Sequence, residues 1–174
     1  MAIQIKTLDQ LKLMRRAGLV VGETLELMRE AIKPGITTNH LNEIAVKNLK
    51  ANKAKPNFLN YHGYPAVICA SVNDEIVHGI PNDRLIQDGD VVSIDFGAII
   101  EGWHGDAAFS VIAGTVDPED QKLIDTCEES MWQGIAAGKL GGKLTDISFA
   151  IEKYIHTQWQ FCSVWIIWIN TTGS

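Results

Sequence analysis

Two strand-forming runs joined through a glycine-containing corner constrain the fold of this chain more than any other feature. The runs span residues 90–100 and 104–114, and Gly102 lies in the connection between them. Two such runs separated by a very short loop with glycine are typical of an antiparallel hairpin. A two-residue loop pairs Ile100 with Trp103, and this pair sets the register of the whole hairpin.

That register brings two acidic side chains to one face. Asp106 lies opposite Gly97 and one diagonal step from Asp95, and diagonal neighbours are about 7–8 Å apart at Cα. Two carboxylates on an apolar hairpin repel each other unless one is protonated or cations lie between them. Because divalent ions accept carboxylate ligands, the pattern indicates a site for two such ions. The alternative is a solvated face that carries two unrelated acids.

The composition is that of one globular domain. The chain has 174 residues, of which 46% are hydrophobic and 21% charged, and its net charge of −6 argues against nucleic acid as a partner. Its three cysteines lack metal-type spacing, which indicates reduced thiols. Neither a secretory leader nor an apolar run of about 18 residues is found, so we expect a cytoplasmic protein without a membrane role.

Helical patterns flank the hairpin on both sides. Residues 7–10 form a capping box that opens a long helix, and Thr38 is predicted to cap a second one. After the hairpin, Asp117 precedes a proline at the start of a third helix, and Thr145 opens a fourth. The sequence therefore predicts an α+β protein in which helices cover a curved antiparallel sheet.

A loop over residues 58–65 contains three aromatic side chains that flank a glycine turn, namely Phe58, Tyr61 and Tyr64. Such a cluster is suited to a small pocket for an apolar side chain. The alternative is that the tyrosines cover an edge of the core.

Two short strands are predicted after this loop, over residues 66–72 and 75–79. His78 lies on the second. It is either a structural residue or a hydrogen-bond donor near a reacting carbonyl group.

The chain also repeats itself weakly, at an offset of 106 residues. The matched pairs are Lys33 with Lys139, Gly35 with Gly141, Leu41 with Ile147, and Ala45 with Ile151. By that offset, a second set of strands would begin near the last residue, Ser174. Residues 159–174 instead hold three of the five tryptophans and no charged residue. We expect this segment to be an atypical tail and the second half to be missing; the alternative is a genuine buried strand.

Six short motifs together resemble the type I methionine aminopeptidases, and they occur in order between about residues 3 and 156. The motifs are Tyr61-His62-Gly63-Tyr64-Pro65, Ser71-Val72-Asn73-Asp74-Glu75, Val77-His78-Gly79-Ile80-Pro81, Asp88-Gly89-Asp90, Ser93-Ile94-Asp95 and His104-Gly105-Asp106. The resemblance implies the pita-bread fold, in which two pseudo-symmetric halves enclose a dinuclear metal site. Residues 1–158 would then be the N-terminal part of one catalytic domain.

The resemblance also implies an activity and residue roles. The family removes the N-terminal methionine of nascent polypeptides with water activated at two divalent ions, which can be cobalt, manganese, iron or zinc. Asp95 matches a ligand of one ion, and Asp106 matches the ligand that bridges both. His78 matches the histidine that contacts the substrate amide and stabilises the tetrahedral intermediate. Three positions match the pocket for the methionine side chain, namely Tyr61, Tyr64 and Phe58.

Three further ligands of the family, a histidine and two glutamates, have no match in this sequence, and Ala107 replaces a small hydroxyl residue common there. We therefore expect a monomer that binds metal weakly and is inactive as a 174-residue chain. Two alternatives remain open. One is a silent pita-bread remnant that binds only peptides or partners. The other is a relative of the proline dipeptidases, which the Tyr-His-Gly-Tyr-Pro motif disfavours.

Overall fold

The computed structural model describes residues 4–158, and the predictions made for residues 159–174 lie outside them. The chain divides into two compact units, whose boundary lies between Gln121 and Lys122. The elements are α1 (Leu8–Ala31), α2 (Thr38–Ala51), β1 (Lys55–Pro56), one turn of 3₁₀ helix (Tyr61–Gly63), β2 (Ile68–Val72), β3 (Val91–Ile100), β4 (Trp103–Ile112), α3 (Pro118–Ala137) and α4 (Leu144–Gln158).

Both N-terminal helices begin at threonine caps. The Thr7 hydroxyl accepts a hydrogen bond from the Gln10 N–H, and the Gln10 side chain accepts one from the Thr7 N–H. This is the predicted capping box, and it satisfies two amides that no helix carbonyl can reach. The cap of α2 is Thr37, so the prediction of Thr38 was wrong by one residue.

Strand β3 is the centre of the sheet. It pairs antiparallel with β4 along one edge and with β2 and β1 along the other. Ile100 pairs with Trp103, as the sequence predicts. The two connecting residues, Glu101 and Gly102, have φ of 51° and 82°, which match the type I′ turn that suits the twist of paired strands.

The two faces of the β3–β4 hairpin differ because side chains alternate along a strand. Ile94 and Phe96 are fully buried in a core with Met28 of α1 and Leu41 of α2. Gly105 of β4 lies so close to α1 that a Cβ atom there would be 2.7 Å from helix backbone atoms. The neighbours of these core residues along the strands therefore point to the opposite face.

The predicted strand over residues 75–79 was wrong. Val77 has a positive φ of 32°, which no regular strand contains, and the segment is a loop. One bond of the expected pairing remains, because the Ala70 N–H donates to the Gly79 carbonyl at 2.9 Å.

Most of α3 and all of α4 belong to the second unit. Within it, Gly134 of α3 lies against Ile151 of α4, close enough that a Cβ atom on the glycine would be 2.7 Å from that side chain. In the range from residue 4 to residue 158, no helix is both long and apolar enough to cross a bilayer.

Candidate metal centre

The hairpin register places both aspartates on the face away from α1. Asp106 pairs with Gly97, and Asp95 pairs with Ala108, so the two acids are diagonal neighbours. Gly97 makes the approach possible, because a Cβ atom there would lie 2.8 Å from Asp106 Oδ2. The same-face placement that the sequence predicts is therefore present.

The two carboxyl groups are electrostatically coupled. Burial first, and the negative charge of Asp106 second, raise the pKa of Asp95 from 3.8 to about 7. Burial also raises the pKa of Asp106, although hydrogen bonds from Asn57 and Asp95 and the nearby His104 act in the opposite direction. Without a cation, the pair holds a proton near neutral pH because the charge on one carboxylate disfavours ionisation of its half-buried neighbour.

Asn57 lies beside Asp106 and was missed by the sequence analysis. Its Nδ2 atom is 3.4 Å from Asp106 Oδ2 and 3.4 Å from the Gly105 carbonyl oxygen. Its Oδ1 atom is 3.1 Å from His104 Nδ1. Nothing in the local sequence marks this asparagine, because its contacts arise from the pairing of β1 with β3.

Cys69 and Tyr64 form the floor beside Asp95. Cys69 pairs with Asp95 across β2 and β3 and is buried. Burial raises the pKa of the Cys69 thiol, and burial likewise raises the pKa of the Tyr64 hydroxyl. The sequence analysis treated Cys69 only as a reduced thiol; the register of β2 would have been needed to place it here.

Tyr64 also fixes the loop that follows β2. Its hydroxyl lies 3.0 Å from the Ile68 carbonyl oxygen and 2.9 Å from the Gly79 carbonyl oxygen. Because Gly79 follows His78, one tyrosine connects the floor of the site to the segment that holds the histidine.

The other candidate side chains are more exposed. Tyr61 is 68% exposed, and its ring contacts His62 edge-on at 4.5 Å between centroids. Phe58 is half-buried, and its carbonyl accepts a hydrogen bond from the Tyr61 N–H. His78 is exposed on its loop, where the Gly79 N–H donates to the Ser71 hydroxyl oxygen. Of the predicted residues, the structure thus brings together Asp95, Asp106 and Tyr64.

Comparison with known families shows the family to which this chain belongs. Metallopeptidase family M24 matches residues 12–166, which is most of the chain. The chain belongs to this family. Among the curated relatives of this chain, methionine aminopeptidase 1 of Bacillus subtilis is 43% identical over 153 residues, and methionine aminopeptidase 1 of Mycobacterium tuberculosis is 45% identical over 148 residues.

Solved structures confirm the pita-bread fold of this chain. Methionine aminopeptidase from Rickettsia prowazekii superposes with a TM-score of 0.86 at 38% identity, covering 88% of this chain and 62% of that one. The enzyme from Thermotoga maritima gives a TM-score of 0.86 at 34% identity, covering 90% and 63%. An Xaa-Pro dipeptidase from Bacillus anthracis, at 19% identity and a TM-score of 0.76, shares the fold.

The chain spans 62% of the Bacillus relative and 56% of the Mycobacterium relative, while 88% and 84% of its own length is matched. M24 methionine aminopeptidases use divalent metal ions, and the donor set of this chain fits part of such a site. Two carboxylates of raised pKa converge where Gly97 leaves room, and carboxylate oxygen is a ligand for hard divalent ions. Between residues 4 and 158, no group of three or more metal-ligating side chains is present.

Proposed function

We propose that this chain serves methionine aminopeptidase chemistry, the release of an N-terminal methionine from nascent polypeptides. Asp95 and Asp106 would hold two divalent ions, of cobalt, manganese, iron or zinc. The chain would act as a monomer in the cytoplasm, where it would meet nascent polypeptides. The net charge of −6 supports a role without nucleic acid.

One observation carries the proposal: the convergence of two carboxylates that the fold makes expensive to ionise. Burial and mutual repulsion raise the pKa of Asp95 to about 7, and only a proton or a cation relieves that cost. This favours metal binding over a silent peptide-binding remnant, in which nothing would retain the pair.

The chain's own residues would divide the work as follows. When bound, the ions would supply a water of lowered pKa and polarise the first peptide carbonyl. His78, on its exposed loop, would donate to the substrate amide. Tyr64 would form the floor of the methionine pocket, with Tyr61 and Phe58 on its outer side. Tyr64 would also hold the His78 loop in place through the Gly79 carbonyl.

We expect the 174-residue chain to bind metal weakly and to show no turnover. The described residues offer two carboxylates, whereas a hydrolytic dinuclear centre needs several ligands and a base. Loss of a single partner outside the ligand set already costs about 10–100-fold in metal affinity or activity.

The test is Mn²⁺ binding to the 174-residue chain, measured by calorimetry and by thermal unfolding at about pH 8. We expect weak binding that raises the unfolding temperature and that Asp106→Asn removes. Asp9→Asn is the matched control, because the Asp9 side chain is 88% exposed on α1 and pairs with Lys12 at the surface.

Peptides that begin with Met-Ala-Ser are then offered to the same samples with Mn²⁺ or Co²⁺. The expected result is no methionine release. Absence of metal binding, together with peptide binding that Asp106→Asn does not change, would replace the proposal with the silent remnant. Chelator-sensitive methionine release would overturn the expectation of inactivity while supporting the chemistry.

A further inference from the structure

Asn57 is the residue through which three parts of the site meet. Its backbone N–H donates to the Gly97 carbonyl at 3.2 Å, which fixes the end of β1 against β3. Its side chain reaches across β3 to β4, where it contacts Asp106, the Gly105 carbonyl and His104. From its position directly after β1, the Asn57 side chain therefore reaches across β3 to Asp106 on β4.

The chemistry of these neighbours decides which way the amide faces. The Gly105 carbonyl can only accept a hydrogen bond, so the atom 3.4 Å from it must be the NH₂ group. The same NH₂ group lies 3.4 Å from Asp106 Oδ2. The amide oxygen then faces His104 Nδ1 at 3.1 Å, and a hydrogen bond there requires a proton on Nδ1.

Gly97 provides the space for this arrangement. A Cβ atom at residue 97 would lie 2.3 Å from Asn57 Nδ2 and 2.8 Å from Asn57 Cγ. No side chain other than hydrogen is compatible with the asparagine in this position. The absence of a side chain at Gly97 therefore leaves the space that the Asn57 amide occupies.

We propose that Asn57 is a positioning residue, which orients the carboxylate of Asp106 and fixes His104 as its Nδ1-protonated tautomer. By binding Oδ2 from one side, the amide leaves the remaining lone pairs of Asp106 for cations. In the neutral ring of His104, the lone pair then lies on Nε2. The part of this proposal that concerns cations rests on the proposed function; the part that concerns His104 does not.

The experiment compares Asn57→Leu with Asn57→Asp in the full 174-residue chain. Leucine keeps the branched shape of the side chain and removes all three of its hydrogen bonds, whereas aspartate keeps an oxygen for His104 Nδ1 and removes the NH₂ donor. Asn39→Leu is the matched control, because Asn39 donates to the carboxylate of Asp83 at 2.8 Å outside the site. Nitrogen-15 spectra recorded at about pH 8, where imidazoles are mostly neutral, report the tautomer of His104 directly.

We expect the wild type, Asn39→Leu and Asn57→Asp to show a protonated His104 Nδ1, and Asn57→Leu to lose it. Gly97→Ala should also lose the protonated Nδ1, because its Cβ atom would occupy the position of the Asn57 amide. Mn²⁺ affinity should fall about tenfold in Asn57→Leu and stay unchanged in Asn39→Leu.

An unprotonated His104 Nδ1 in the wild type overturns the proposal, as does a tautomer in Asn57→Leu that is the same as in the wild type. Because the tautomer is read without metal, Asn57→Asp and Gly97→Ala keep the test decisive if Asn57→Leu does not fold. A wild type that binds no Mn²⁺ counts against the proposed function, and the tautomer still decides the role of Asn57.

Discussion

Asp95→Asn should stabilise the metal-free protein at neutral and alkaline pH while removing its response to metal. The aspartate sits half-buried opposite Cys69 and diagonal to Asp106, where ionisation is costly. An amide of nearly the same shape carries no charge at any pH. The substitution therefore measures the free-energy cost of ionising Asp95 in the folded protein.

The sign follows from the raised pKa. The pKa of Asp95 is about 7 in the folded protein and 3.8 as its ordinary value, so the folded state binds this proton more tightly. Stability is then unaffected below about pH 4, falls as the pH rises from about 4 to 7, and is level above that. A difference of about three pKa units at 1.36 kcal/mol each, reduced for the residual exposure of the group, gives a cost on the order of 3 kcal/mol.

The assay is thermal unfolding of wild type and Asp95→Asn, without metal, at about pH 4.5 and about pH 8. We expect nearly equal unfolding temperatures at the lower pH. At the higher pH the variant should be more stable, by about 6–12 °C for a chain of this size. Saturating Mn²⁺ should raise the unfolding temperature of the wild type at the higher pH and leave that of the variant unchanged.

Asp9→Asn provides the control, because an exposed surface carboxylate contributes little at either pH. The reasoning fails if Asp95→Asn destabilises the metal-free protein at about pH 8, or if its stabilising effect is the same at both pH values. Either result would mean that Asp95 is a stabilising carboxylate and that the convergence with Asp106 has no cost for a cation to relieve.

Three further substitutions, and one control substitution in α1, test the packing that positions the site. Gly105→Ala should cost about 2 kcal/mol or more in urea unfolding, because its Cβ atom would meet the backbone of α1, whereas Gly22→Ala, with open space around it, should stabilise α1 by about 0.5–1 kcal/mol. Thr24→Val should cost about 1–3 kcal/mol in the same assay, because it leaves the buried amide of Asn48 without its acceptor. Tyr64→Phe should cost about 1 kcal/mol and speed amide hydrogen exchange at Ala70, because the loop after β2 loses its side-chain anchor.

The register of the central hairpin could be predicted because it depends on local information alone. A two-residue turn at Glu101 and Gly102 fixes the pairing, and the alternation of side chains then sets the face of every later residue. The same local information suffices to place Asp95 and Asp106 on one face of the hairpin.

The roles of Asn57 and Cys69 could not be predicted in this way. Asn57 directly follows β1 and Cys69 lies on β2, so their contacts depend on how β1 and β2 align with β3 over a long stretch of intervening chain. No local pattern fixes that alignment. The prediction of a strand over residues 75–79 was wrong for a related reason. Val77 adopts a positive φ in a loop, and strand propensity does not predict such a conformation.

The core and the candidate site are two consequences of one register. Ile94 and Phe96 are buried against the helices, and the residue between them is Asp95. A slip of β4 by one residue would turn Asp106 toward α1, where Gly105 now fits against the helix backbone, and would place a carboxylate in an apolar core. The hydrophobic packing of the first unit therefore excludes arrangements in which the two acids are apart. A mutation that loosens this core should weaken the metal response of the chain before it unfolds the chain, since the site depends on a register that the turn and the core enforce together.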